Sequence, residues 1–254
     1  GALGDTWGSE FGLRVNQVRM DAGVVDHHMA GMNVNIGNLR DNFNNADRSE
    51  TDTNLDWVAR FMRPLSSTVD VEIGVARKMR SPSYQERYLW VPMQATGGLA
   101  DGNVYIGDIN LDPEVSHQVE LALNMATSNA YFEPRIFYRD VSDYIQGVPA
   151  TDPDALALNP NALQFANVDA ELYGADVAWG YSIDNQWSLG GIVSYVRGKR
   201  DDISDNLYRI APLNGTLGLN YNAGTWDVTA EGVFYDRQDE VSTTNGESTS
   251  PGYA

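Results

Sequence analysis

The sequence predicts an all-β chain, an antiparallel meander of about nine strands, and three observations carry this prediction. Polar and apolar residues alternate in segments of about ten residues, short turns alternate with long polar excursions, and aromatic residues stand at both ends of several segments. Alternation with a period of two is typical of a strand that buries one face. No window keeps a 3.6-residue apolar stripe between helix caps, so we expect no long helix.

The alternation is clearest in five segments. In one of them, Val115, Val119 and Leu121 share one face while Gln118 and Glu120 share the other. The five segments span residues 69–76, 115–125, 173–182, 213–221 and 226–235. Weaker alternation at residues 11–18, 55–63, 132–139 and 189–197 brings the predicted number of strands to nine.

The connections between these segments alternate in length. Short turns are predicted at residues 64–68, 127–129, 183–186 and 222–225, where Asp184-Asn185 and Ala223-Gly224 provide turn residues. Long polar excursions are predicted at residues 21–52, 80–112, 140–167 and 198–208. Short turns at one end and long loops at the other are typical of an outer-membrane barrel, whereas a soluble sandwich distributes its loop lengths less regularly.

Aromatic residues support the barrel independently. Those near the short turns are Tyr131, Phe132, Trp179, Tyr181, Trp187, Tyr221 and Trp226, and those toward the long loops are Tyr138, Tyr195 and Phe234. Two aromatic girdles flank the apolar band of a membrane barrel. A bacterial barrel needs an even number of strands and an open sheet in lipid leaves unpaired edges, so nine strands predict one part of a larger barrel.

Composition excludes several classes of protein. The 254 residues carry 35 acidic against 17 basic side chains, for a net charge of -18, and contain no cysteine. Scattered bases among twice as many acids argue against a nucleic-acid partner. Without cysteine there is no disulfide scaffold, thiolate metal site or cysteine nucleophile. No apolar run reaches the length of a membrane helix.

Four motifs, in this order along the chain, resemble those of TonB-dependent outer-membrane receptors. They are Met79-Arg-Ser-Pro-Ser-Tyr-Gln-Glu-Arg-Tyr88, Gly107-Asp-Ile-Asn-Leu-Asp-Pro-Glu114 leading into Ser116 and Glu120, Ile136-Phe-Tyr-Arg-Asp-Val-Ser-Asp-Tyr-Ile145, and Asn167-Val-Asp-Ala-Glu-Leu-Tyr-Gly-Ala-Asp176. Each motif is loose by itself, but the order and spacing of all four resemble the family pattern across nearly the whole chain.

This resemblance implies a 22-stranded barrel with an N-terminal plug, in the outer membrane of a Gram-negative bacterium. Residues 1–254 would be part of the barrel, with the plug, the TonB box and the last strands outside this sequence. The implied function is uptake of a scarce nutrient, energised by the TonB complex. We expect a small metal chelate, either a siderophore complex or copper, with lipid and lipopolysaccharide around the barrel. The alternatives are a passive porin-like or structural barrel, and a secreted β-sandwich that binds carbohydrate.

Two sets of candidate site residues lie in the long excursions. In the second excursion we expect Tyr84, Arg87, Tyr88 and Trp90 to contact substrate. In the first, Asp26-His27-His28-Met29-Ala30-Gly31-Met32 makes His27, His28, Met29 and Met32 candidate metal ligands. Imidazole and thioether groups together suit copper, and residues two apart reach one ion when the chain is locally extended. The alternative is an ordinary solvated loop whose methionines pack on their neighbours.

The remaining polar residues predict no catalysis. The sequence has three histidines, and His117 falls on an apolar strand face, so we expect neither an enzyme nor a resident cofactor. No Lys or Arg lies between Asp140 and Val168, so the external end should be negative. The polar strand faces should line the lumen, with Asp70, Glu72, Glu120, Asp176, Asp227 and Glu231.

Overall fold

The computed structural model describes residues 7–94 and 101–254, and strands dominate both ranges. Nine long strands are β1 (Gly8–Asp21), β2 (Ser49–Pro64), β3 (Val69–Arg80), β6 (Glu114–Ala126), β7 (Ala130–Pro149), β8 (Leu163–Ser182), β9 (Trp187–Arg200), β10 (Asn214–Asn222) and β11 (Asp227–Tyr235). Two short strands, β4 (Met93–Gln94) and β5 (Val104–Ile106), lie between β3 and β6. The helices are α1 (Val34–Asn45), α2 (Tyr84–Tyr88) and α3 (Pro153–Leu158).

The nine long strands form one antiparallel sheet in the order β1-β2-β3-β6-β7-β8-β9-β10-β11. All nine predicted segments are strands of this meander, so the predicted fold class is confirmed. The four short turns join β2 to β3, β6 to β7, β8 to β9 and β10 to β11. They are every second connection of an antiparallel meander, so they all lie at the same end of the sheet. Within the described residues, β1 and β11 each pair with a single long strand. The total of 22 strands stays a prediction.

The register confirms two chemically different faces. Directly opposed residues of an antiparallel pair share a face. Ile73 lies opposite Leu121, which lies opposite Ile136, so an apolar face continues across β3, β6 and β7. On the other face, Glu120 lies opposite Gly74 and Phe137. The predicted inward-facing acids all lie on this second face, which we call the polar face.

The aromatic prediction is confirmed for Trp179 and Trp187 and wrong for one tyrosine. Trp179 lies opposite Phe132 and Trp187 opposite Tyr221, all on the apolar face near the short turns. Tyr131 instead lies opposite Gly180 on the polar face. A Cβ atom at Gly180 would be 2.3 Å from the Tyr131 ring, so this ring covers the glycine rather than joining a girdle.

The long excursions contain more regular structure than predicted. Strands β7 and β8 extend far into the third excursion and leave only residues 150–162 as a connection. Helix α1 contradicts the expectation of no long helix. The Asn33 side chain caps it by accepting hydrogen bonds from the N–H groups of Asn35 and Ile36. Its Leu39 and Phe43 side chains are buried. This burial stabilises the helix, although the apolar pattern of its sequence is too weak to predict it.

None of the three helices in residues 7–94 and 101–254 has the length and apolar character to cross a membrane.

The excursions pack on one another into a continuous layer at the end of the sheet opposite the short turns. We call this layer the loop cap; its described parts are residues 22–48, 81–94, 101–113, 150–162, 201–213 and 236–254. One buried cluster joins Tyr105, Ile145 and Phe165, with the Tyr105 and Phe165 rings stacked 4.8 Å apart. A second joins Phe43 and Tyr88. The buried core of the chain therefore lies largely in the loop cap.

Asp205 fastens residues 242–244 to the rest of the loop cap. Its carboxylate accepts hydrogen bonds from the Ser242 hydroxyl at 3.0 Å, from the N–H and hydroxyl of Thr243 at 2.9 and 3.0 Å, and from the Thr244 N–H at 3.0 Å. Burial acts to raise the pKa of Asp205, but hydrogen bonds from Thr244 and Thr243 outweigh it and hold the pKa below its ordinary value. The carboxylate is therefore the form that anchors residues 242–244.

Asp205→Ala should release this segment at neutral pH. Hydrogen bonds to a charged group contribute about 1.5–3 kcal/mol each, so amide exchange at Thr243 and Thr244 should accelerate by at least about tenfold. In the unchanged protein the contribution is complete above the unfolded pKa, near 4, and is lost only as the pH falls below that value toward the depressed folded pKa. Hydrogen exchange with mass spectrometry measures both effects. Asp239→Ala is the control, and equal exchange in the two variants would contradict the anchor.

Candidate functional site

Residues 26–32, which we call the His/Met segment, form a compact turn in the loop cap. The Ala30 N–H donates to the His27 carbonyl at 2.8 Å, and the Met32 N–H donates to the Met29 carbonyl at 2.9 Å. The segment is therefore turned, and it lacks the local extension under which two residues of this spacing reach one ion. His27 and Met29 are half-buried, whereas His28 is exposed and Met32 is 74% exposed.

The His27 ring contacts its neighbours on two sides. It stacks on His28 with 4.4 Å between ring centroids, and its other contact is an edge-on approach to Trp90 at 6.4 Å. Its Nδ1 accepts a hydrogen bond from the Met29 N–H at 3.1 Å. A neutral ring that accepts at Nδ1 carries its proton on Nε2. This contact joins the His27 imidazole to the backbone of Met29.

Asp26 begins the segment and is held as a carboxylate. It accepts a hydrogen bond from the His27 N–H at 2.8 Å and from the Arg40 guanidinium at 3.3 Å. These two contacts, the backbone one first, hold the pKa of Asp26 below its ordinary value. In residues 7–94 and 101–254, no three His, Cys, Asp or Glu side chains are grouped so as to hold a metal ion.

The four predicted substrate residues have different positions. Arg87 is buried, with its side chain 1% exposed, and donates to both carboxylate oxygens of Asp52 at 3.1 and 2.8 Å and to the Leu111 carbonyl at 2.8 Å. Tyr88 is buried and its hydroxyl donates to the Arg48 carbonyl at 3.0 Å. These two side chains hold the loop cap together.

Tyr84 and Trp90 remain at the surface of the loop cap. Tyr84 is 58% exposed and its ring lies 4.8 Å from that of Tyr88. Trp90 is half-buried and lies between His27 and the cluster around Phe43. Only these two of the four therefore offer accessible aromatic surface, and a substrate role for the set stays a prediction.

Trp90 also lines a cavity of ≈ 410 Å³ between α1 and the second excursion. Its polar lining includes four carboxylates, those of Asp47, Glu50, Asp108 and Asp152. Among the described residues of the lining, Arg87 is the only basic one, and its charge is matched by Asp52. We call this the acidic cavity, and its negative potential attracts cations to the part of the loop cap beside Trp90.

A network around Arg80 connects α2 to the sheet. Arg80 donates to Glu86 at 2.9 Å and to Glu114 at 2.8 Å. Ser83 caps α2 through a reciprocal capping box with Glu86. Burial acts to raise the pKa of Glu86, but Arg80 outweighs it and the pKa lies below its ordinary value. Glu86 therefore stays charged and positions the second excursion.

The sequence did not indicate Asp52 as the partner of Arg87, or Asp205 as an anchor. Asp52 lies 35 residues before Arg87, at the loop end of β2, where an acidic residue has no local signal. Residue type and position within a strand say nothing about which distant cation a carboxylate will face. The sequence signal most closely related to this ion pair was the presence of Arg87 in the first of the four motifs.

A family model for the TonB-dependent receptor-like β-barrel matches residues 2–254. The chain belongs to this family. The family match agrees with the open antiparallel meander, the alternation of short turns and long excursions, and the two faces of the sheet. No curated protein sequence matches the chain.

Solved structures of TonB-dependent receptors and metal transporters share this fold. The copper transporter OprC superposes with a TM-score of 0.68 at 19% identity, over 82% of this chain and 31% of that protein. The siderophore receptor PirA from Acinetobacter baumannii superposes with a TM-score of 0.59 at 15% identity, over 81% of this chain and 34% of PirA. A mutant of the ferric enterobactin receptor PfeA from Pseudomonas aeruginosa superposes with a TM-score of 0.59 at 14% identity, over 82% of this chain and 37% of PfeA.

The chain of this TonB-dependent receptor thus spans about a third of the length of the structures it resembles. At these identities the likeness establishes the fold. Family and neighbours are receptors and transporters, which agrees with the expectation of a transport protein.

Proposed function

We propose that this receptor takes up copper across the outer membrane of a Gram-negative bacterium, with energy from the TonB complex. The observation that carries the proposal is the His/Met segment, where His27 and Met29 are two residues apart on one turn of the loop cap and both are half-buried. Thioether and imidazole together favour copper over the hard cations. The likeness to a structure described as a copper transporter supports the same choice.

The position of the segment gives captured copper a route inward. His27 contacts Trp90, and Trp90 lines the acidic cavity. The cavity carries four carboxylates on the side away from the apolar face, so its potential would draw a cation from the segment toward the lumen. Carboxylates bind Cu(I) more weakly than thioethers do, which favours onward transfer rather than trapping.

Copper binding would rearrange the His27 ring. A ligating histidine normally donates a hydrogen bond from its second ring nitrogen. Here Nδ1 accepts from the Met29 N–H, so ligation through either nitrogen ends this contact. The ring would then turn away from the backbone, and the Met29 side chain would follow it toward the ion.

The other partners follow from the faces of the sheet. The apolar face with its tryptophans would contact lipid, with lipopolysaccharide around the loop cap end. The polar face would contact a plug, which carries the TonB box in this family. A ferric siderophore complex is the second candidate, and it draws on the likeness to PirA and PfeA. A passive porin-like or structural barrel would take up copper equally well with and without TonB.

Substitutions in the His/Met segment test the proposal. In the full-length receptor, His27→Ala and Met29→Ala should each weaken Cu(I) binding at least about tenfold, because each removes one of few soft ligands, at about 1.4 kcal/mol per tenfold change. Calorimetry under reducing conditions measures the affinity. The matched controls are His117→Ala on the apolar strand face and Met93→Ala in the second excursion, which should bind as the unchanged protein does.

Two results would oppose copper uptake. One is an unchanged Cu(I) affinity in both His27→Ala and Met29→Ala, since the segment would then be an ordinary loop. The other is copper accumulation in cells that does not fall when TonB is deleted, which would favour a passive barrel. Tight binding of a ferric siderophore together with no binding of Cu(I) would favour the second candidate, uptake of a ferric siderophore complex.

A further inference from the structure

We infer that Trp90 positions the His27 ring for copper binding, a role that rests on the proposed function of the His/Met segment. Trp90 belongs to the second excursion and His27 to the first, and their side chains meet in the loop cap. Trp90 acts through His27 and does not itself hold the ion, so it is a positioning residue rather than a ligand. Its contribution is that of an aromatic ring, which an aliphatic side chain does not replace.

The His27 ring is restrained by its own segment and by one ring from outside it. Within the segment it stacks on His28, with ring centroids 4.4 Å apart and planes at 27°, and its Nδ1 accepts from the Met29 N–H. Trp90 approaches from the second excursion, with centroids 6.4 Å apart and planes at 69°. Favourable aromatic pairs have centroids about 4.5–7 Å apart and often this steep angle. His28 is exposed, whereas Trp90 is half-buried.

Trp90 is held in place by the buried part of the loop cap. Its side chain packs against the cluster that contains Phe43. The preceding residue, Leu89, follows α2, where its N–H donates to the Gln85 carbonyl at 3.3 Å and its carbonyl accepts from the Gly107 N–H at 2.7 Å. The indole is therefore in position before an ion arrives, and a preorganised partner reduces the entropy that binding costs.

The start of the His/Met segment is fixed to the same part of the loop cap. The Val25 N–H donates to the Asn44 side-chain oxygen at 2.8 Å, and the Asn44 amide donates back to the Val25 carbonyl at 2.9 Å. The Val25 side chain packs against the same buried cluster as Trp90. His27 follows two residues later, so one buried cluster supports both sides of the contact between His27 and Trp90.

Copper binding makes the contact with Trp90 more important. Ligation through the imidazole ends the hydrogen bond that Nδ1 accepts from the Met29 N–H. The position of the His27 ring then depends on its two ring contacts, of which only the one with Trp90 is anchored in the buried cluster. An aromatic pair is more favourable than the burial of its area alone, so removing the indole ring should weaken copper binding even where an apolar side chain fills part of the space.

Two variants of Trp90 in the full-length receptor separate the aromatic ring from its bulk. Trp90→Leu keeps an apolar side chain and should weaken Cu(I) binding about fivefold, the contribution expected of one aromatic pair. Trp90→Phe keeps a ring and should bind within about twofold of the unchanged protein. Calorimetry under reducing conditions measures the affinities, and the heat-dependent gel shift shows that each barrel is folded. The matched control is Trp57→Leu on the apolar face of β2, which should leave Cu(I) affinity unchanged.

A double variant tests whether Trp90 acts through His27. Once the His27 ring is absent, the indole has nothing to position, so in the His27→Ala background Trp90→Leu should lower the residual Cu(I) affinity by less than about twofold. A loss of about fivefold in both backgrounds would mean that the two residues act independently, and would overturn the positioning role.

The same measurements distinguish the role of Trp90 from copper uptake itself. A loss in His27→Ala together with unchanged affinity in Trp90→Leu overturns the positioning role alone, as does a Trp90→Phe variant that binds as weakly as Trp90→Leu. Unchanged Cu(I) affinity in His27→Ala also overturns it, and the same result in Met29→Ala as well opposes copper uptake.

Discussion

Arg87→Met should loosen the loop cap and cost about 3–5 kcal/mol, the usual penalty for leaving one partner of a buried ion pair uncompensated. Asp52 is 7% exposed and would keep a buried charge with no cation to match it. The Leu111 carbonyl would lose the same guanidinium. Because these contacts join α2 to β2 and to the segment just before β6, the second excursion should separate from the sheet.

Hydrogen exchange of residues 81–94 in the full-length receptor measures this effect. Exchange should accelerate by at least about a hundredfold, which corresponds to the lower end of that free-energy range. The matched control is Arg40→Met, which removes an exposed arginine paired with Asp26 and Asp41 and should change little.

A double variant separates the ion pair from simple loss of packing. Arg87→Met combined with Asp52→Leu removes both charges, and replacing a buried pair with apolar residues is often neutral or stabilising. The double variant should therefore regain most of the protection lost in Arg87→Met. Exchange of residues 81–94 that is no faster in Arg87→Met than in Arg40→Met would refute the structural role of the buried pair.

Gly174→Val should prevent assembly of β8 with β9. A Cβ atom at Gly174 would lie 2.2 Å from the Tyr195 carbonyl oxygen and 2.8 Å from the Phe137 ring. The carbonyl belongs to the neighbouring backbone and cannot move away without breaking the ladder, in which Gly174 lies opposite Val196. We expect a cost of at least about 3 kcal/mol, the upper end of the range for overpacking.

The amount of folded receptor in outer membranes measures this cost, through the heat-dependent shift of the barrel on a gel. Gly218→Ala is the matched control on the same face, since its nearest neighbour would be the Gly190 carbonyl at 3.7 Å, an ordinary contact. Wild-type levels of folded Gly174→Val would show that the two strands accept a larger separation than the structure has.

The strands were predictable because their signal is local. A strand in a membrane sheet has lipid on one side and polar surroundings on the other, so the polarity of each residue indicates which face of the sheet it occupies. The same rule shows why the expectation for Tyr131 was wrong. Tyr131 and Phe132 are adjacent in one strand and must point to opposite faces, so only one of them can join a girdle.

The excursions were less predictable because their structure depends on partners that are distant in sequence. Helix α1 has few apolar residues, and it is stabilised because its Phe43 is buried beside Tyr88, more than 40 residues later. Strand β5 exists because it adds in parallel to β8, where Tyr105 lies opposite Leu163. Neither contact produces a periodic pattern of apolar residues in the local sequence.

The candidate site divides in the same way. The sequence by itself determined the strand order, the two faces, and the presence of soft ligands at His27 and Met29, because these follow from residue type and near-neighbour spacing. Only the tertiary structure decided that Arg87 and Tyr88 are buried in the loop cap and that His27 meets Trp90. Those outcomes depend on which long-range groups share the low-dielectric interior, where an unpaired charge or amide costs more than any local preference contributes.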